Sequence, residues 1–228
     1  VARRAQSVKG NLHGRVTLYD TAGEISEVEH FVGGWKDGKS VRFVENGWRR
    51  ESVWKVGRRH GAERVLRDDD SIAEETQFRN GVAVSRATFH PNGEKASFVN
   101  LKNGEPEGVK QSWYENGQIR ERIHYARGFL HGRVVRWHGD GKKAQQGEYY
   151  ADKKQGQWVE WFLSGETERT TWEKGQLQGE RILMKPSGWR ERSIWHKDQK
   201  HGPITTFRPK GGNCLLYTSD AADETCRV

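Results

Sequence analysis

A glycine recurs along this chain at a nearly fixed interval, and that interval limits the fold more than any other feature. Gly14, Gly38, Gly61, Gly108, Gly132, Gly156, Gly179 and Gly202 form the series, with Ser85 filling one place. Counted through Ser85, the steps are 24, 23, 24, 23, 24, 24, 23 and 23 residues. A period of this length marks a repeat architecture in which each repeat is one supersecondary unit stacked on its neighbours.

Other positions keep the register. Four residues before the anchors come Gly10, Gly34, Gly57, Gly81, Gly104, Gly128, Asp152, Gly175 and Asp198. Five residues after the anchor, four in the Ser85 repeat, come Tyr19, Phe43, Leu66, Phe89, Trp113, Trp137, Trp161, Met184 and Phe207. Seven residues before the later anchors come Phe31, Trp54, Phe78, Leu101, Tyr125, Tyr149, Trp172 and Trp195. A further glycine follows most anchors by nine residues, with Asp70 in that place once.

Between these glycines lie short β-rich stretches such as Arg133-Val-Val-Arg-Trp-His138, which read as strands. Turns such as Glu115-Asn-Gly117 supply the positive φ that tight reversals need. Each repeat is therefore expected to be a β-hairpin, advancing a sheet by roughly 9.6 Å at about 4.8 Å per strand. The array as a whole reads as all-β: tandem hairpins in a single elongated, twisted antiparallel sheet. Side chains alternate between faces, so each aromatic column is expected to stay on one face, and its rings to stack from repeat to repeat into most of the core. The glycine anchors and the two aromatic columns are the structural residues of this reading.

The strings Trp113-Tyr-Glu-Asn-Gly-Gln-Ile-Arg-Glu121 and Tyr125-Ala-Arg-Gly-Phe-Leu-His-Gly132 resemble the MORN repeat variant of bacterial proteins often called YwqK-like antitoxin components. The resemblance covers about residues 8 to 211 and implies an elongated β-sheet used for protein or membrane association. It departs where Asp68-Asp69-Asp70 replaces a turn glycine and Ser85 an anchor, so hairpin geometry is in question there. Domain limits follow: 1–7 an incomplete N-terminal edge, 8–213 about nine repeats, and 214–228 a tail. The stretch from Cys214 to Glu224 resembles the translation of a transposase adapter used in sequencing libraries, so the tail is expected to be foreign. Both cysteines lie in it, leaving the repeats with no disulfide, thiolate metal site or cysteine nucleophile.

With 33% hydrophobic residues and a mean hydropathy of −0.99, the chain is too polar for one large central core, yet 10 Trp, 8 Phe and 6 Tyr exceed what disorder would carry. No apolar run of about 18 residues exists to span a membrane as a helix. The chain opens on Val1, so a natural start upstream is expected; a cytoplasmic location is the default expectation. His13, His60, His131 and His201 precede anchors but fall in non-consecutive repeats, too far apart to converge at about 2.1 Å on one ion. Glu27, Glu74, Glu121, Glu168 and Glu191 recur eleven residues before anchors and read as cross-strand charge pairs with arginines rather than as catalytic acids. No metal, cofactor, small-molecule substrate or catalytic residue is expected.

The formal charge of +8 brings anionic partners into view, and Arg49, Arg50, Lys55, Arg58 and Arg59 form the densest basic cluster. The favoured function is a non-catalytic scaffold binding a protein partner. The alternatives are a peripheral module on anionic membrane lipids, with the basic cluster as its contact, or an accessory segment of a longer enzyme. Nucleic acid is not expected as the partner.

Overall fold

The computed structural model describes residues 2–209, apart from the side chain of residue 45, and the backbone of 213–216. The turn glycine at 211 and the tail from 217 to 228 lie outside the described residues. The chain forms two compact units, Val1–Gln118 and Ile119–Val228. Each unit is a meander of antiparallel strands in which sequence neighbours pair, as the glycine-bounded stretches require.

In the first unit Gly14–Tyr19 pairs with Ile25–Val32, Gly38–Phe43 with Arg49–Lys55, Gly61–Leu66 with Ile72–Arg79, and Val82–Phe89 with Lys95–Lys102. In the second, Phe129–Trp137 pairs with Lys143–Tyr150, Lys153–Trp161 with Thr167–Glu173, and Gln176–Met184 with Arg190–His196. At the N-terminus Arg3–Arg4 pairs with Thr17 and Leu18, so the segment ahead of the first anchor also contributes a strand. The last described pairing joins Asn213–Leu216 to Ile204–Phe207.

The anchors do more than end a turn. Opposite Gly132, Ile123 faces Val134 and Tyr125 faces Leu130, so four residue steps on one strand oppose two on the other. The same two-residue surplus recurs opposite Gly108, Gly156, Gly179 and Gly202. Fitting two extra residues into a ladder is a bulge, and it places the anchor in the left-handed region, at φ 99° for Gly132. His124 lies across from it and donates from Nδ1 to the Arg133 carbonyl at 3.0 Å; His30 does the same to Lys39. Ser85 shows the rule by exception. It pairs with Gln77 in register, and the shift there is one residue rather than two. A shorter bulge removes the need for glycine, and this repeat is shorter by one residue between its anchor and Phe89.

The other irregular site also keeps its hairpin. Asp70 takes the left-handed conformation at φ 67°, and the Ser71 amide donates to the Asp69 carboxylate at 2.9 Å. Asx chemistry thus replaces the missing glycine. At the opposite ends, Asp152 and Asp198 replace glycines in the same way. Each accepts a hydrogen bond, from the Leu130 and Leu177 amides respectively, at 2.7 Å.

The core differs from the expected stack of rings. Phe31 is buried, but Trp54, Phe78, Tyr125, Tyr149, Trp172 and Trp195 are half-buried, as are Tyr19, Phe89, Trp113, Trp137, Trp161 and Phe207; Phe43 is 46% exposed. The deepest positions form a row beside the rings: Val16 against Glu29, Ser40 against Ser52, Ile123 against Val134, and Trp158 against Thr170. Equivalent rings lie two strands apart, roughly 9.6 Å, whereas paired rings sit about 4.5–7 Å apart, so ring cannot follow ring down the column. The strand between must supply the contact. It does so with the residue two before each anchor, which pairs directly with the ring: Phe31 with Lys36, Trp54 with Arg59, Tyr125 with Leu130, Tyr149 with Lys154, and Trp172 with Leu177.

Cations fill several of these gaps. The Arg59 guanidinium lies 5.5 Å from the Trp54 ring and 5.3 Å from Phe78. The Lys154 ammonium lies 4.4 Å from both Trp158 and Trp172. Desolvation there pushes the Lys154 pKa below its usual value. Where the column holds tryptophan, the buried row holds a hydroxyl two residues earlier: Trp54, Trp172 and Trp195 donate to Ser52, Thr170 and Ser193 at 3.0, 2.9 and 2.9 Å. In the second unit Trp158 itself occupies the buried row. It covers Gly147, where an added Cβ would fall inside the indole, and meets Tyr149 edge-on at 5.0 Å.

Three substitutions test this account, two of them at anchor positions. Gly132→Ala should cost about 1–3 kcal/mol, because alanine must hold a positive φ with its Cβ 3.4 Å from that of His124; Ser85→Gly should not stabilise, since no positive φ is required there. Urea unfolding reads both, and an alanine variant as stable as the parent would contradict the bulge assignment. Gly147→Ala should displace Trp158 and cost about 1–3 kcal/mol, with a red shift in tryptophan emission.

Candidate binding faces

Strand alternation gives each unit two chemically different faces. One carries the buried row, the ring column and a ladder of ion pairs. Glu27 binds Arg42, Glu74 binds Arg86, Glu121 binds Arg136, and Glu168 binds Arg181 at 2.8, 3.3, 2.7 and 2.6 Å. Glu191 lies 3.9 Å from Arg181. The acids that recur eleven residues before the anchors are thus held across strands by arginines, as the repeat suggested. The partners sit on the facing strands.

The basic cluster does not survive folding as one surface. Arg50 and Arg59 lie on the face of the buried row, whereas Arg49, Lys55 and Arg58 lie on the other, because neighbours along a strand point in opposite directions. Arg49 is bound by Asp70 and Glu51, and Arg59 by Glu63 at 3.1 Å; Arg50 lies 3.9 Å from the same Glu63. Lys55 and Arg58 remain exposed, opposite each other across a turn. The consecutive basic residues that stood out in the sequence therefore do not form a single anion cradle. Among the described residues, no group of three histidine, cysteine or acidic side chains is placed to hold a metal ion. No helix among them is long and apolar enough to cross a membrane.

The opposite face distinguishes the units. Ten residues before successive anchors stand Val28, Glu51, Glu75 and Phe98 in the first unit, and Arg122, Gln146, Arg169 and Arg192 in the second. The first-unit acids are neutralised on the same face. Glu51 binds Lys39 at 2.9 Å, and Glu75 binds Arg64 at 2.7 Å. In the second unit the pairing runs Arg122–Val135–Gln146–Val159–Arg169–Ile182–Arg192–Thr205, one residue per strand. This row alternates basic or amide side chains with β-branched ones and holds no carboxylate. Beside it run the large side chains five after each anchor. Arg122 lies 5.9 Å from the Trp137 ring and Lys143 5.8 Å from the Trp161 ring. Met184 and Phe207 flank Arg190. Sequence inspection missed this row because its members lie 23 or 24 residues apart; setting the column ten before the anchors side by side would have revealed it.

At the turn end, side chains stitch one repeat to the next. Arg67 donates to the Phe89 carbonyl at 2.7 Å, and His90 Nε2 to the Trp113 carbonyl at 3.0 Å. His138 donates to the Trp161 carbonyl at 2.6 Å. These residues share one repeat position, just past the large side chain, and act structurally.

Comparison with known proteins agrees with the repeat reading. Residues 106–126 match the family model of the MORN repeat variant. No curated protein sequence is significantly similar to this chain. Among solved structures, the TCP10 domain of Danio rerio CPAP is 12% identical, with 90% of this chain and 96% of that one covered and a TM-score of 0.33. The TcdB2–TccC3 structure is 12% identical, with a TM-score of 0.28; 98% of this chain and 16% of that one are covered. The Photorhabdus luminescens Tc holotoxin pore is 10% identical, with a TM-score of 0.21, 97% of this chain covered and 16% of that one. This chain thus spans only a small part of the toxin chains it resembles.

The ion pairs of the first unit predict its acid behaviour. Partial burial alone pushes Glu51 and Glu75 up, but hydrogen bonds from Lys39 and Arg49 to Glu51, and from Arg64 and Gln77 to Glu75, outweigh it and hold both below the ordinary 4.5. A carboxylate depressed by folding adds stability that is present above its unfolded value and lost as the pH falls through its folded value. The urea midpoint should therefore fall as the pH drops below about 4.5, and Glu51→Gln with Glu75→Gln should flatten that slope. An unchanged slope in the double variant would contradict the assignment.

Proposed function

We propose that this protein is a non-catalytic scaffold that binds a protein partner on the open face of its second unit. The observation that carries this reading is the carboxylate-free row from Arg122 to Thr205 beside Trp137, Trp161 and Met184. Arginine and tryptophan dominate the energetics of protein interfaces, and a regular sheet face presents them at fixed spacing on rigid elements. The opposite face is an unsuitable contact, since its charges already satisfy one another and its rings are packed against lysine and arginine stems. Its carboxylates are held by arginines at hydrogen-bond distance, an arrangement for structure rather than for proton transfer.

The test places a photo-crosslinking benzoyl-phenylalanine at Gln146, in the middle of the row, or at Lys174 on a turn at the other end of the strands. Irradiation in extract of the source organism should give a discrete protein adduct at Gln146 that is lost when Arg122 and Arg169 are changed to glutamate. Equal adducts at both positions would contradict the reading. So would the absence of any adduct combined with salt-sensitive flotation on anionic vesicles.

A further inference from the structure

The open face of the second unit deepens into a hollow of about 480 Å³ near its C-terminal end. Two ladder lines cross it. In one, Ile182 stands between Arg169 and Arg192; in the next, Arg190 stands between Met184 and Phe207. Directly opposed residues on one face lie about 4.5–5.5 Å apart, so the guanidiniums of these three arginines stand around an apolar floor of three side chains, and Arg208 lines the hollow beside them. All three arginines are exposed, while Ile182, Met184 and Phe207 are half-buried. Arg192 also contacts Glu180, which engages only part of its five-donor fork.

We propose that this hollow captures an acidic segment of a protein partner, seating one large apolar side chain on the floor and carboxylates on the arginine rim. The inference rests on the scaffold reading above and names the chemistry of its partner. Charge decides the sign: no carboxylate belongs to either ladder line, and arginine meets carboxylate in a bidentate geometry that lysine cannot offer. The floor decides the class. A phosphate or a polyanion without apolar side chains would leave Ile182, Met184 and Phe207 uncovered, whereas a peptide can satisfy rim and floor together. Methionine suits such a floor, because its unbranched chain adapts to different apolar shapes. The volume lies toward the lower end of the range for ligand pockets and fits a side chain or two, not a folded surface.

The probe is a short fluorescein-labelled peptide in which glutamate alternates with leucine, followed by anisotropy. Its counterparts carry lysine or glutamine in place of glutamate. The acidic peptide should bind the full-length chain with an affinity that falls as salt rises, and the lysine peptide should not bind. Arg169→Glu with Arg190→Glu should weaken binding by at least about tenfold, and Met184→Lys should weaken it through the floor, while Lys174→Glu should stay within about twofold. Far-UV circular dichroism of each variant establishes that the sheet persists; should the double variant not fold, Arg169→Gln alone should still weaken the peptide by several-fold. Unchanged peptide affinity in a folded rim variant would overturn the proposal. So would tighter binding of phosphatidylserine vesicles or oligo(dT) through the same arginines. A protein adduct at Gln146 with no acidic-peptide binding would remove the acidic-segment proposal and leave the scaffold reading; absence of the adduct would remove the broader reading as well.

Discussion

The structure depends on a mismatch of lengths. Each repeat moves the sheet forward by two strands, roughly 9.6 Å, and an aromatic ring cannot reach its counterpart over that distance. A column of rings therefore holds together only if the intervening strand contributes a side chain of its own at the same level. Lys36, Arg59, Leu130, Lys154, Leu177 and Lys200 all occupy that place, each paired directly with a ring. Lysine and arginine serve as well as leucine because their alkyl stems cover apolar surface while the charged end lies over a ring face or reaches solvent. A chain with only 33% hydrophobic residues can thus build an apolar spine, since part of that spine is made from residues counted as charged.

The same economy divides the labour between the faces. The ring column seven before the anchors, the buried row and a ladder of glutamate–arginine pairs share one face, where charges bind across strands and leave little for a partner. On the other face the two units diverge at a single column. Glutamate at that column in the first unit draws Lys39 and Arg64 into internal pairs. Arginine or glutamine there in the second unit leaves a basic, partly apolar strip. At this column Glu51 and Glu75 belong to a self-neutralised stretch between Val28 and Phe98, whereas Arg122, Gln146, Arg169 and Arg192 belong to one suited to an acidic partner.

Much of the fold was legible because its demands fall on single residue types. Positive φ at a bulge calls for glycine, so the anchors announced themselves, and Ser85 announced the one place where the bulge is shorter. The core was less legible. The position two before the anchors holds lysine, arginine, leucine, alanine and proline in different repeats, which looks random unless one sees that all can lie against a ring. The buried row was hidden for a similar reason: Ser52, Thr170 and Ser193 look like surface residues, yet each is called for by the tryptophan two residues later, whose indole nitrogen must find an acceptor. The cluster from Arg49 to Arg59 misled in the opposite direction, because proximity in sequence is not proximity on a strand. The arginine strip of the second unit escaped notice because it is continuous only across strands.

The central claim, that side chains from the intervening strand join the rings, is most directly tested at Lys154. Its ammonium lies over two indole faces at once. In a proton NMR spectrum the ring currents of Trp158 and Trp172 should move the Lys154 side-chain methylene resonances well upfield of those of an exposed lysine such as Lys174, and Trp172→Leu should remove part of that shift. Lys154 resonances at the positions of an exposed lysine would mean that no cation lies between the rings, and that something else holds the column together.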